Sequence, residues 1–412
     1  MYRTRTGKRT YFRALLANTF RTVIWLSQWC CTVPFPLDPY QRTTPYFRMK
    51  HYRVIQILRR LLSLVLFSVV AAAPFLLYFL FTKQIYVQRT PLSIKLMYYL
   101  QTAIQICTIG YVLLVYQFRA SFHQFYFDRL AYVLEGFGRA GVSERLSALQ
   151  TNIRRLLLVV PLHILLVLTA YVLQDRSWGV LPKVVLFLTA QLMAACFALL
   201  YATLLGTISI LLRQMNDTLE SILVGSEQNG LPRTLLATHV RLTRDDQKTI
   251  EKLRLLQLRL LEIVLRTNGG EYGRLLIMIL LATFIYLNTE LLQLYQGVKA
   301  GAFAFDVIGT KLINSAHKFA LLFMYAYPNR LIQRQNLRVL KILYQLNKPG
   351  NDARSSDITN RFLTQASLFL EKAHEAYGMI SIDMTLILSI VGGLTNILVV
   401  LVQFSDAKPI QT

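Results

Sequence analysis

Residues 379–404 read MISIDMTLILSIVGGLTNILVVLVQF, and eight residues follow them. Between Met384 and Val402 there is no charged side chain. That run of about 20 residues is long enough to cross a bilayer as one helix. It is not uniformly apolar: Thr385, Ser389, Thr395, Asn396 and Gln403 interrupt it, and Gly392 and Gly393 lie at its centre. Polar side chains at membrane depth face protein or water rather than lipid. The last span is therefore expected to line an aqueous path.

The rest of the chain is built in the same way. Of its 412 residues 54% are hydrophobic and 16% charged, and several uninterrupted apolar runs reach membrane-spanning length, which the core of a soluble domain does not require. The expected class is an all-α polytopic membrane protein. A formal net charge of +24 could suggest nucleic acid, but basic residues collect in the cytoplasmic loops of membrane proteins, and no nucleic-acid partner is expected. Cys30, Cys31, Cys107 and Cys196 show no metal-ligand spacing, and His374 has no second histidine at helical spacing, so neither metal nor cofactor is expected. No nucleotide loop or nucleophile arrangement is present, and the chain reads as a non-enzyme. The N-terminus lacks the pattern of a cleavable signal.

Seven spans are read in order: Leu61–Phe81, Leu92–Phe118, Leu156–Gln174, Val180–Leu212, Leu275–Tyr295, Phe303–Tyr327 and the final run. Pro74 should kink the first, Trp178 and Gly179 mark a turn before the fourth, and Pro328 follows the sixth. The patch Val23–Val33 is too short to span and is expected to pack on the bundle. The polar segment Arg119–Arg155 should prolong the second and third spans beyond the membrane. Asp245–Arg266 places Ile250, Leu253, Leu256, Leu260, Leu261 and Val264 at helical spacing, which predicts an amphipathic helix outside the bilayer. A second is expected over Ile358–Tyr377, after a hydrophilic turn at Asn347–Asp357.

Basic residues set the orientation. Residues 1–60, 119–155, 213–274 and 329–379 hold 36 of the 45 lysines and arginines. With seven crossings these segments share one side, which the positive-inside rule makes cytoplasmic. The N-terminus is then inside and the C-terminus outside. The units are a cytoplasmic segment, 1–60; a six-span bundle with cytoplasmic helical loops, 61–327; a cytoplasmic anchor, 328–379; a pore-lining span, 380–404; and an extracellular tail, 405–412. The acceptor pattern Asn216-Asp217-Thr218 falls inside and should stay unmodified. A seven-span G-protein-coupled chemoreceptor is the alternative, but it has the opposite orientation, and its acidic-Arg and NPxxY-like motifs are missing. A secondary transporter would show internal repeats, and none is clear.

This layout resembles that of the insect chemoreceptors. Residues 395–404, TNILVVLVQF, look like the signature of the insect gustatory receptors: a Thr-Tyr pair, five to six hydrophobic residues, then Gln-Phe. Gly378 and Asp383 also stand where such receptors often carry Gly and Asp, while Asn396 departs from the usual Tyr. The resemblance implies a ligand-gated, non-selective cation channel, related in fold to the insect odorant receptors and assembled as a homotetramer or with related subunits. Its partners would be a small-molecule tastant, permeating cations and membrane lipid. Its place would be the plasma membrane, in a sensory dendrite, and the departure at Asn396 favours bitter compounds over sugars.

In such a channel the pore and gate candidates are Thr395, Asn396, Val399, Gln403, Phe404 and Asp406. Apolar constrictions close pores by dewetting, and amides or carboxylate rings receive cations. Plainer alternatives are helix packing for Thr395 and Asn396, an interfacial anchor for Gln403 and Phe404, and a solvated tail residue for Asp406; Asp383 either forms a similar ring at the inner vestibule or caps the helix. The ligand-binding candidates are Tyr98, Tyr99, Gln101, Tyr171, Gln174, Asn288, Glu290, Phe303 and Asp306, aromatic and polar groups in the outer halves of the second, third, fifth and sixth spans. Glu290 stands out because an acidic side chain within a span is costly without a role. Its alternative is a structural pair with Lys299 or Lys311.

Overall fold

Lipid offers a backbone no hydrogen-bond partners, so each apolar run must satisfy its own amides and carbonyls, which a helix does. A computed structural model describes residues 2–33, 49–80, 92–116, 118, 121–137, 142–174, 180–228, 242–299, 305–347, 353–372 and 375–406. They form α1 (Tyr2–Trp29), α2 (Met49–Leu80), α3 (Leu92–Gly110), α4 (Ser121–Gly136), α5 (Val142–Gln174), α6 (Val180–Gln228), α7 (Arg244–Gly269), α8 (Glu271–Lys299), α9 (Phe305–Leu346), α10 (Ala353–Lys372) and α11 (Met384–Asp406). A small hairpin of β1 (Glu375–Ala376) and β2 (Ile380–Ser381) precedes α11. The turn at Trp178 and Gly179 lies outside the described residues.

Among the described residues, four helices are long and apolar enough to cross a membrane: Ile57–Leu76, Lys95–Tyr116, Leu188–Gly225 and Glu271–Tyr295. In α11 the shorter run Met384–Val400 is also apolar. The most enclosed element is α6, which packs along α1, α2, α5, α7 and α9. Phe197, Tyr201, Leu205, Ile208 and Met215 are among its fully covered side chains. The apolar patch at the end of α1 lies against this bundle, with Val23, Ile24, Cys31 and Val33 buried.

Several elements differ from the sequence expectation. α3 does not continue as an α-helix but widens into a π-helical turn, Tyr111–Tyr116, and α4 is a separate helix. The first turns of α5 prolong the third span; residues 117, 119 and 120, between the π-helical turn and α4, lie outside the described residues. Pro328 does not end its helix, since α9 runs on to Leu346. Proline removes one amide donor there, and the neighbouring turn is held by Asn329, whose side-chain amide donates to the Tyr325 carbonyl (3.1 Å) and to the Tyr201 hydroxyl (2.8 Å). α10, described to Lys372, does not reach Tyr377, because Glu375–Ala376 are already extended as β1 and Tyr377 and Gly378 take positive φ (55° and 68°) to turn the hairpin.

Outside the apolar runs, α7 follows its pattern. All six apolar residues named for its inner face are buried. The Thr243 hydroxyl accepts the Asp246 amide (3.2 Å), and the Asp246 carboxylate accepts the Thr243 amide (3.0 Å), a reciprocal cap. At the same end of the bundle Asp217 of α6 pairs with Arg145 of α5 (2.7 Å) and Arg338 of α9 (2.8 Å), and Arg338 reaches Glu220 (2.6 Å).

Candidate functional site

Polar side chains inside apolar helices are the first place to look for a site. Gln101 and Gln105 on α3, Gln191 on α6, Asn288 on α8, and Asn314 and Lys318 on α9 are all between 1% and 6% exposed. Their spacing puts Gln101, Gln105 and Thr108 on one face of α3, and Asn314 and Lys318 on one face of α9. Among the described residues, both ends of the Gln101 amide and the carbonyl oxygens of Gln105, Gln191, Asn288 and Asn314 have no hydrogen-bond partner. Buried amides are normally satisfied, so this interior is built to meet further polar groups.

Part of it opens as a cavity of about 30 Å³ between α3, α6, α8 and α9, room for about two water-sized groups. Gln105, Thr108, Thr283 and Lys318 supply its polar wall, and Ile109, Met193 and Ile279 belong to the apolar one. Beside it, His163 of α5 and His317 of α9 stack in parallel, with ring centres 4.1 Å apart.

The ligand candidates read from sequence distribute unevenly. Tyr98 and Gln101 are buried, whereas Tyr99 is exposed. Asn288 bonds back to the Phe284 carbonyl (2.9 Å). Glu290 is 8% exposed and accepts the Lys311 ammonium at 3.1 Å, which is the structural pair weighed for it. Lys311 also reaches the Gln293 side chain. Tyr171, Gln174 and Asp306 fall within α5 and α9, where their side chains are not described, and Phe303 lies outside the described residues. None of the described candidates lines the cavity, which lies one turn or more along α3 from Gln101. Gln105, Thr108 and Lys318 were missed; the i, i+4 step from Gln101 to Gln105 was the available signal.

The second feature is α11. Leu386, Ile387, Ile390 and Leu394 are buried against the bundle, where α11 packs on α8 and α9. A Cβ on Gly393 would meet the Phe284 ring at 3.2 Å, so glycine allows this close approach. The opposite face is exposed at Thr385, Ser389, Gly392, Asn396, Val399 and Gln403. Alternating steps of four and three keep those six on one stripe. Five of them are polar or glycine. Thr395, next to the stripe, is exposed and donates its hydroxyl to the Val391 carbonyl (2.9 Å). Phe404 and Asp406 fall in the last turn, where their side chains are not described.

The hairpin sets where α11 starts. The Tyr377 amide donates to the Asn268 carbonyl at the end of α7 (3.1 Å), and the Arg274 guanidinium of α8 donates to the Tyr377 hydroxyl (3.0 and 3.2 Å). Asp383 accepts the Thr385 amide (2.9 Å), as a capping residue does.

This arrangement has counterparts. A family model described as 7tm Chemosensory receptor matches residues 20–408. The fold is that of the insect olfactory receptor OR5 from Machilis hrabei, with TM-score 0.63 at 11% identity, covering 95% of this chain and 99% of that one. The same receptor in complex with eugenol gives 0.60 at 12% identity, over 93% and 97%. No curated protein matches the sequence.

Proposed function

As the chain belongs to the 7tm chemosensory receptor family, we propose that it is a gustatory, contact-chemosensory receptor: a subunit of a ligand-gated, non-selective cation channel. The observation that carries this is the stripe on α11. A helix facing only lipid gains nothing from Thr385, Ser389, Asn396 and Gln403 on its uncovered side. The same side turned toward a central axis shared by four copies lines a water-filled path. Gln403 and Phe404 then stand at the narrow outer end, and Asp406 beyond them attracts cations. The homotetramer, or a heteromer with related subunits, sits in the plasma membrane of a sensory dendrite.

The ligand is a small molecule held in the buried polar interior of α3, α5, α6, α8 and α9. The capture of eugenol by a receptor of the same fold supports this. The taste reading, and bitter compounds within it, rest on the resemblance of residues 395–404 to the gustatory signature and on its departure at Asn396. Binding favours the open pore by as much as the ligand prefers that state.

Cysteine accessibility tests the pore. Asn396→Cys and Gln403→Cys should let a charged thiol reagent block the basal current of expressed channels, whereas Leu394→Cys, on the packed face, should leave it unchanged. A surface-expressed protein carrying no current, or equal block at Leu394→Cys and Asn396→Cys, would overturn the assignment.

A further inference from the structure

Lys318 lies midway along α9, 6% exposed, on the wall of the cavity. Its ammonium is 5.2 Å from the Tyr286 ring centre. Among the described residues no carboxylate pairs with it. Glu290, the acidic residue in the far half of the α8 run, is bonded to Lys311, two turns from Lys318 along α9. The side chain next to Lys318 is His317, stacked on His163, so among the described residues this part of the interior holds three basic side chains and no acid. A cation inside the membrane normally pairs with an anion or serves as the counter-ion of a ligand. Among the described residues that anion is missing, and a cavity adjoins Lys318.

We propose that Lys318 is the counter-ion of the ligand, and that the cavity takes a small organic acid as its carboxylate. This deepens the receptor reading and rests on it. The cavity is the size of a carboxylate headgroup. The Lys318 ammonium meets the negative oxygens, with the Thr283 hydroxyl as a further donor on the same wall. The Thr108 hydroxyl is committed to the Ile104 carbonyl (2.7 Å). The unpartnered Gln105 carbonyl oxygen turns the neutral, protonated acid into a second form the site can hold, but only the carboxylate neutralises Lys318. The carboxylate fills the cavity as it stands, so a short hydrocarbon chain enters only as Met193, Ile109 and Ile279 of the apolar wall move aside. Selection between an acid and its neutral isostere follows from charge, since an amide of the same shape leaves the buried ammonium unpaired.

Thermal unfolding of the purified full-length protein in detergent, with butyrate and butyramide as probes and sodium chloride matched throughout, tests this without relying on channel current. Butyrate should raise the melting temperature by several degrees in a saturable way, and butyramide should not. Lys318→Gln should abolish the response and Lys318→Arg retain it, each variant first shown to melt cooperatively. No butyrate shift in the wild type, equal shifts from butyrate and butyramide, an equal shift from chloride alone, or a full response in Lys318→Gln would each overturn the proposal. If neither variant folds, the wild-type comparison of the two probes still decides it. A failed pore leaves butyrate binding intact, and failed binding leaves the thiol block at Asn396 intact, so the two readings fall separately.

Discussion

His123 stands at the start of α4, beyond the apolar run of α3, and is completely covered. Its Nδ1 shares a hydrogen bond of 2.6 Å with the Tyr272 hydroxyl, inside an aromatic cluster with Tyr116. Burial disfavours the imidazolium and pushes the pKa from 6.5 down to about 3. Between those values the unfolded chain binds a proton that the folded chain does not, so stability rises with pH there and falls as pH drops below about 6.5. By pH 5 the cost is about 2 kcal/mol. His123→Gln should flatten the dependence of melting temperature on pH between 7 and 5; an unchanged slope would show that other groups dominate. Nothing in the sequence marked His123, because its partner lies 149 residues away. The same holds for Lys318. Its charge was visible within the sixth span, but not the empty space beside it, which depends on how four helices pack.

At the scale of elements, the junction between α7 and α8 is the tightest point. A Cβ at Gly273 would lie 1.7 Å from the Asn268 carbonyl oxygen, the atom that accepts the Tyr377 amide. The Asn268 side chain also accepts the Tyr201 hydroxyl (2.6 Å) and donates to Asn329 (3.1 Å). One backbone step thus joins α6, α7, α9 and the hairpin leading into α11. Gly273→Ala forces this step apart and should destabilise by about 1–3 kcal/mol. Gly309→Ala, with nothing near its added Cβ, is the neutral control. Melting temperature and surface expression of the two variants check this, and equal behaviour would remove the junction from the account. Periodicity made α7 legible, since its six inner residues repeat at the helical step. The end of α10 was not legible, because the hairpin that follows it turns on positive φ at Tyr377, a bulky residue that rarely adopts that conformation. Pro328 sits inside α9, where a proline's missing donor matters less because Asn329 and the packed neighbours hold the turn. The polar row of α11 was readable from residue types alone, whereas which of its faces is packed needed α8 and α9 to be placed.

For the whole molecule the decisive property is the uneven distribution of charge along the bundle axis. The cluster of Arg145, Asp217, Glu220 and Arg338 ties α5, α6 and α9 together at one end, and its side chains are about one-third to one-half exposed there. Charges so exposed would be strongly penalised in hydrocarbon, so this end lies in water. The capped start of α7 and the Arg254–Glu251 pair (2.6 Å) belong to the same water-facing part. Arg145, Arg254 and Arg338 belong to the four segments that hold 36 of the 45 basic residues, and such asymmetry sets topology during insertion. α11 starts where Tyr377 docks on the far end of α7, next to the start of the apolar run of α8, and a helix of 23 residues is about 35 Å long, enough to carry its far end across the hydrocarbon. An epitope placed after Thr412 should therefore be stained by antibody on intact cells, and one placed before Met1 only after permeabilisation. The reverse result, with surface delivery confirmed by biotinylation, would put the basic end outside the cell. Gln403 would then lie at the cytoplasmic mouth, and the channel reading would give way to the G-protein-coupled arrangement.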